Sequence, residues 1–213
     1  MRLLRAVFFV AVAAWALLML YALFWLRERY GRGGPFPAWR AAELRHPLRR
    51  FIAPVGPTLE KLRLKAGDTV LELGPGPGYF TTEAARMVGP QGRLICLDIQ
   101  PEMIEILRAR LDEHGVDNAL PVVGDATRLP LAEGAIDAAF LVSVLGEIPD
   151  RVAALAELRR VLKPGGVLSF SEHLTDPDYV LQRELRDLCR ASGFRELSCS
   201  GERLGYTMTF TAA

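Results

Sequence analysis

Residues 71–78 read Leu71-Glu72-Leu73-Gly74-Pro75-Gly76-Pro77-Gly78 and close a β run that begins at Asp68. Glycines at the end of a strand let the backbone turn sharply and let a ligand approach where a Cβ would block it. A nucleotide is the first candidate for such a loop. Dinucleotide sites space their glycines G-x-G-x-x-G, whereas the spacing here is G-x-G-x-G. Pro75 and Pro77 also remove two backbone N–H donors, and a pyrophosphate at a helix N-terminus needs such donors. A ligand with an amino-acid end and no phosphate needs them much less, and Glu72 is placed to favour a cation.

Working outward, strand and helix alternate. A helix is expected over 58–65, then the strand of 68–74 and a helix over 79–88. A strand over 93–98 precedes an amphipathic helix over 101–114, with Met103, Ile104, Ile106, Leu107 and Leu111 on its apolar side. Strands follow over 119–123 and 135–143, and a helix over 148–162 stops at Lys163-Pro164-Gly165-Gly166. A strand over 166–171, a helix over 178–192 and two β runs, 194–200 and 205–212, complete the chain. Repeated βα units predict a Rossmann-like, doubly wound α/β fold: a mostly parallel seven-stranded sheet with an antiparallel C-terminal pair. Such sheets bind ligands beyond the carboxyl ends of their strands. Asp98 ends the second strand, 20 residues past Gly78, where a carboxylate can accept from both ribose hydroxyls. Asp125 follows the third strand in Gly124-Asp125-Ala126, where it can accept from an adenine amino group. Three acids at three successive strand ends, with that glycine spacing, point to S-adenosyl-L-methionine.

The segments VLELGPGPGYF, ICLDIQPEM, VVGDATRLPL, IDAAFLVSVLGEI and RRVLKPGG, in this order, resemble class I S-adenosylmethionine-dependent methyltransferases. The similarity is greatest to the ubiquinone/menaquinone-biosynthesis C-methyltransferase group, and it covers roughly residues 57–172. It implies that Glu72, Gly74, Gly76 and Gly78 line the methionine end, Asp98 the ribose and Asp125 the adenine, with Ile99 and Ala126 flanking the ring. It also implies the strand order 3-2-1-4-5-7-6. The Asn-Pro-Pro-aromatic tetrad of the family's exocyclic-amino nucleic-acid and glutamine methyltransferases is absent; Ser143-Val144-Leu145-Gly146 stands in its place. No nucleic-acid partner is therefore expected, and no carboxylate-rich metal constellation is visible.

A sulfonium methyl group is already activated, so alignment matters more than acid–base chemistry, and proximity alone can supply ~7–11 kcal/mol. Any base should lie after strands four and five, where Ser143, Glu147, Glu172, His173, Asp176 and Tyr179 fall. His173, Glu147 and Tyr179 are the catalytic candidates. The competing readings are a surface histidine beside Glu172, and Glu147 and Asp150 serving the start of the next helix.

The front of the chain differs in character. Ala6 to Leu26 is 21 residues without a charge, and a helix of that length spans about 30 Å, the thickness of a bilayer's hydrocarbon layer. Trp25 and Tyr30 crowd its C-terminal end, as interfacial aromatics do. A cleaved signal peptide is the alternative, but its apolar region runs only ~7–15 residues. Residues 1–57 carry nine arginines against two glutamates, a net +7, while the rest of the chain is −6. Most of those arginines follow the apolar run, so the positive-inside rule puts the body in the cytoplasm. The expected organisation is a transmembrane anchor over 1–30, a basic interfacial linker over 31–57 and a methyltransferase domain over 58–213. In the linker, Trp39, Leu44, Leu48, Phe51 and Ile52 interleave with Arg40, Arg45, Arg49 and Arg50, which suits anionic lipid or a helix packed on the domain.

Half of the 213 residues are hydrophobic, which excludes a disordered chain. Three scattered cysteines, Cys96, Cys189 and Cys199, form no disulfide framework. These readings converge on an enzyme that methylates a hydrophobic small molecule or lipid, a quinone precursor or a phospholipid amine, dissolved in the bilayer beside it. A membrane-tethered protein that binds the cofactor without turnover is the second hypothesis. A nicotinamide-dependent reductase is the third, disfavoured by the glycine spacing and the lack of a Tyr-x-x-x-Lys pair.

Overall fold

Seven strands form one sheet in the order β3-β2-β1-β4-β5-β7-β6. They are β1 (Thr69–Leu73), β2 (Arg93–Asp98), β3 (Ala119–Val123), β4 (Ile136–Val142), β5 (Leu162–His173), β6 (Phe194–Glu202) and β7 (Gly205–Ala212). The computed structural model describes residues 2–31, 34–47, 49–202 and 205–212. Strands β1 to β5 pair in parallel, and β7 runs antiparallel to both β5 and β6. The order reverses between β1 and β4, and ligands bind at such a switch point.

Side chains alternate across the sheet, and both faces are covered, as a largely parallel sheet requires. Val70, Ala138 and Phe140 face one core, together with Leu59 and Leu62 and with helices α4 (Thr81–Val88) and α5 (Pro101–His114). Leu71, Leu73, Ala139 and Leu141 face the other, against α6 (Arg151–Val161) and α7 (Gln182–Ala191). Glu72 shares its face of β1 with Val70. It is therefore a carboxyl built into the apolar layer beneath α4.

The ends of β2, α5 and β3 fall where the periodicity set them. Other boundaries shift. The helix expected over 58–65 is α3, Val55–Lys61. Strand β5 starts at Leu162 instead of Gly166, because Leu162 pairs with Ile136 before an irregularity lets the Lys163–Gly166 turn bulge out of the ladder. Helix α7 begins at Gln182 instead of 178; the preceding residues form a loop in which Asp176 accepts from the Asp178 N–H at 3.0 Å.

The chain divides into two compact units, Met1–Gly34 and Pro35–Ala213. In the first, one helix, α1 (Arg2–Gly31), covers the uncharged run. The expected membrane-spanning anchor is not borne out. Among the described residues no helix is long and apolar enough to cross a membrane. The side chains described on α1 are those of residues 9–24. Trp25, Tyr30 and the flanking arginines at 2, 5, 27 and 29 lie outside the described side chains, and Arg32, Gly33 and Leu48 outside the described residues.

Residues 35–57, set apart by the sequence as a linker, belong to the second unit. They fold as tight turns at Ala38–Arg40 and Glu43–Arg45, then α2 (Arg49–Ile52) and the start of α3. Ala41 and Ala53 are buried. Of the two readings of this segment, packing on the domain is the one observed.

Candidate active site

The loop after β1 is built as its glycines imply. Gly74, Gly76 and Gly78 all take positive φ, at 69°, 53° and 80°. A Cβ at Gly74 would stand 2.5 Å from Val144 Cγ2, and one at Gly78 would stand 2.6 Å from Leu107 Cδ1. The loop is thus wedged between the residues that follow β4 and helix α5.

Asp98, at the tip of β2, holds this loop in place. Its Oδ2 accepts from the Gly76 N–H at 3.1 Å, and its Oδ1 from the Gln100 N–H at 3.0 Å. Burial raises its pKa, and the surrounding N–H groups of Gln100, Gly76 and Ile99 oppose the rise. Glu72 is buried at 3% exposure, and its pKa is pushed up to about 7 by that burial and, to a smaller degree, by the charge of Asp98. The Cys96 thiol, opposite it in register, donates to Glu72 Oε2 at 3.8 Å. Thr81 lies close enough to favour the ionised form but does not reach hydrogen-bonding geometry. Thr82 Oγ1, one residue on, is also buried without a partner among the described residues.

The third acid stands apart. Asp125 follows β3, and the neighbouring Gly124 N–H donates to the Asp98 carbonyl at 2.9 Å, so the two loops are joined. Its side chain, however, is exposed and turned on itself: Oδ1 accepts from both the N–H and Oγ1 of Thr127 at 2.8 Å, which lowers its pKa. Glu72 and Asp98 are electrostatically coupled; Asp125 is their neighbour along the strand tips only. Ile99 is 53% exposed at the mouth, whereas Ala126 packs partly into the core under α6.

These residues fit S-adenosylmethionine. Asp98 offers a carboxylate to vicinal hydroxyls, Glu72 a buried anionic group to an ammonium, and the glycine loop a backbone that no Cβ obstructs.

Across the switch point lie the groups after β4 and β5. Asp150 accepts from the Ala153 N–H at 2.9 Å and caps α6. Glu147 does not serve the helix. Its Oε2 accepts from the Phe36 N–H at 3.0 Å, and burial raises its pKa to about 8, with Asp176, Asp178 and Asp98 adding to the rise. Glu172 is 1% exposed and raised to about 8 by burial, and among the described residues its Oε1 has no partner. His173 is buried, not a surface histidine, and is pulled down to about 4 by burial and then by the charges of Arg49 and Lys61. Tyr179 packs edge-to-face on Tyr206 with centroids 5.7 Å apart, a core role that leaves it a weaker catalytic candidate than His173.

The sequence reading missed the strap that 35–50 forms over these strand tips. Phe36 spans them with its backbone, its N–H on Glu147 and its carbonyl accepting from Gln100 Nε2 at 2.9 Å. Leu44 reaches within 3.6 Å of where a Gly76 Cβ would be. Arg49 donates to the Leu44 carbonyl at 3.0 Å and lies 4.9 Å from the Tyr79 ring centroid, within cation–π range. The interleaved arginines and aromatics were the signal, but the same pattern fits a lipid surface.

Residues 70–166 match the family model of a methyltransferase domain. The chain carries a methyltransferase domain of the S-adenosylmethionine-dependent kind. Over 119 residues it is 36% identical to a ubiquinone/menaquinone biosynthesis C-methyltransferase of Hahella chejuensis, covering 54% of this chain and 48% of that protein. Over 130 residues it is 35% identical to a demethylmenaquinone methyltransferase of Lactococcus lactis, covering 60% and 52%. The chain therefore spans about half the length of the curated relatives it matches. An S-adenosylmethionine-dependent methyltransferase of Aquifex aeolicus superposes with a TM-score of 0.80 at 22% identity, over 84% of this chain and all of that one. That likeness shows the fold, and the strand order is the one the family resemblance implied.

Proposed function

We propose that the protein transfers a methyl group from S-adenosylmethionine to a hydrophobic small molecule or lipid, and that α1 attaches it to the bilayer with the methyltransferase domain on the cytoplasmic side. The observation that carries the reading is the joined glycine loop and Asp98 carboxylate at the β1/β4 switch point, with Glu72 buried beneath. When bound, the cofactor supplies an electrophilic methyl group. The chain's own residues hold and orient: Asp98 the ribose, Glu72 the amino-acid end, Ile99 and Asp125 the adenine side. The strap keeps water from the strand tips, which matters because a low-dielectric site favours a reaction that destroys charge.

The acceptor class is supported from two sides. The curated relatives are named for methyl transfer in quinone biosynthesis, which favours a quinone precursor. Every described side chain of α1, residues 9–24, is exposed, and so large an apolar surface favours lipid over water. The buried acids Glu147, Glu172 and Asp176 on the acceptor side favour instead a cationic acceptor such as a phospholipid amine. Incubating the full chain with methyl-tritiated cofactor and extracted lipids, then separating quinones from phospholipids, tests both. Label is expected in one of the two fractions. Cofactor binding by calorimetry with no label in either would overturn the acceptor assignment and leave a cofactor-binding protein.

A further inference from the structure

The large apolar side chains that the domain leaves exposed are not spread over its surface. Ile99 directly follows β2, Val152 opens α6 after β4, Leu174 directly follows β5, and Leu181 precedes α7. All four therefore stand at the carboxyl edge of the parallel strands, where the candidate active site opens. Trp39 and Phe51, 81% and 71% exposed, belong to the strap and to the helix α2 that continues it. The strap is fixed at the same edge by Phe36, between Gln100 and Glu147, and by Arg49 against Tyr79. Among the described residues of Pro35–Ala213 the remaining exposed ones, Leu120 and Val123, lie on the edge strand β3. At the opposite edge the turns carry Lys65, Asp68, Gln91, Asp117, Glu133 and Lys163, and no large apolar side chain is exposed there.

Exposed apolar groups gathered at one place mark an interaction surface, and charge indicates what it meets. Residues 35–57 hold four arginines against Glu43, a net +3, whereas 58–213 carry −6. Arg40 pairs with Glu43 at 2.6 Å, and Arg49 is turned to the Leu44 carbonyl. Arg45 and Arg50 are exposed, Arg50 with its guanidinium 4.9 Å from the Phe51 ring centroid. Acids of the same edge are turned to protein partners: Glu147 to Phe36, Asp150 to the Ala153 N–H, and Glu184 to Arg151 at 2.6 Å. Glu102, at the start of α5, stays exposed. Aromatic rings beside arginines suit the boundary of an anionic bilayer, where the rings enter the apolar layer and the guanidinium groups stay with the phosphates. A bilayer is fluid and receives single side chains from separate loops, without the shape-matched core that a protein interface needs.

We propose that the carboxyl edge of the sheet, together with Trp39 and Phe51, docks on an anionic lipid bilayer, so that the site opens directly into the acyl layer. The proposal rests on the methyl-transfer reading above for what passes through that opening: a hydrophobic acceptor reaches the strand tips from the lipid without crossing water. Contact through a few side chains is reversible. It orients the domain and leaves the lasting attachment to α1.

The full chain, incubated with phosphatidylcholine vesicles with and without phosphatidylglycerol, tests this when the vesicles contain a trace of lipid bearing a diazirine near the top of its acyl chain. After illumination, mass spectrometry locates the labelled peptides. Label is expected on those holding residues 39, 51 and 174–181, and several-fold less on those holding 65, 133 and 163. Omitting phosphatidylglycerol should lower the first group. Replacing both aromatics, Trp39→Ser with Phe51→Ser, should reduce the label at 174–181 several-fold, while unchanged cofactor affinity by calorimetry shows the fold to be intact. Equal label at the two edges overturns the proposal, as does label confined to α1 or absent from the domain, and the parent chain alone decides this. Sedimentation in detergent addresses a second copy as the occupant: a dimer that Leu181→Arg dissociates would assign the surface to self-association and overturn the proposal too. Loss of cofactor binding with the edge still labelled would instead defeat the methyl-transfer reading and leave the docking surface standing.

Discussion

Gly74 and Gly115 separate two reasons for a glycine. Both have positive φ, but a Cβ at Gly115 meets nothing within 4 Å, whereas one at Gly74 would collide with Val144. Gly115→Ala should therefore cost about 1–2 kcal/mol of backbone strain alone. Gly74→Ala should add an overpacking term of about 1–3 kcal/mol and displace Val144. Urea midpoints of the two variants check the order. The buried acids make a second prediction at this scale. Glu72, Glu147 and Glu172 are raised to about 7, 8 and 8 in the folded chain, but titrate near 4.3 when unfolded. Above pH 6.5 the folded chain thus binds more protons than the unfolded one, so stability must fall as pH rises from about 6.5 to 8. His173, lowered to about 4, has lost its proton in the folded chain well below that window and adds little there. Thermal melts across it, without cofactor, should show the decline, and Glu147→Gln should flatten it. A cationic cofactor reverses the balance: its binding should release protons near pH 7, measurable by calorimetry in buffers of different ionisation heat.

At the scale of elements, the strap is the feature that joins parts distant in the chain. Residues near 36 meet residue 100 and residue 147 through one backbone unit. Each of these hydrogen bonds is worth about 0.5–1.5 kcal/mol net. Gln100→Ala removes one of them without touching Asp98, and it should quicken cofactor release by up to about tenfold, seen in stopped-flow dissociation. An unchanged rate would mean the strap does not cover the cofactor. The elements themselves were largely legible in the sequence. The β2–α5–β3 stretch shows strict periodicity and a glycine stop at 115, and its boundaries agree to the residue. The start of β5 was not legible, because proline and glycine signals mark a turn but do not say whether the residue before it already pairs. The strap was not legible either, since arginines and aromatics in alternation suit a lipid headgroup layer as well as a protein groove.

For the whole molecule, the division at Gly34 has a consequence. Both hydrophobic cores lie within Pro35–Ala213, so a chain starting at Pro35 should fold cooperatively and bind cofactor as the full chain does. The same truncation should move the protein from the pelleted membrane fraction to the supernatant. Membrane association that survives the truncation would assign the lipid contact to the domain instead.

The succession of strands and helices, the glycine loop and the acids at the ends of β1 and β2 were determined by sequence alone, because period-2 and period-3.6 patterns, glycine spacing and strand-end position are local properties; the order of the strands within the sheet was implied only by the family resemblance. Only the tertiary structure decided that Asp125 turns onto Thr127, that Glu147 receives Phe36 rather than capping a helix, and that His173 is buried beside Ser143. Each of those depends on which partner burial leaves within about 3 Å of a polar atom, and on the geometry of two loops brought side by side by the sheet. No local pattern encodes that choice; the competition between water and a neighbour for each hydrogen bond is settled only when the layers close.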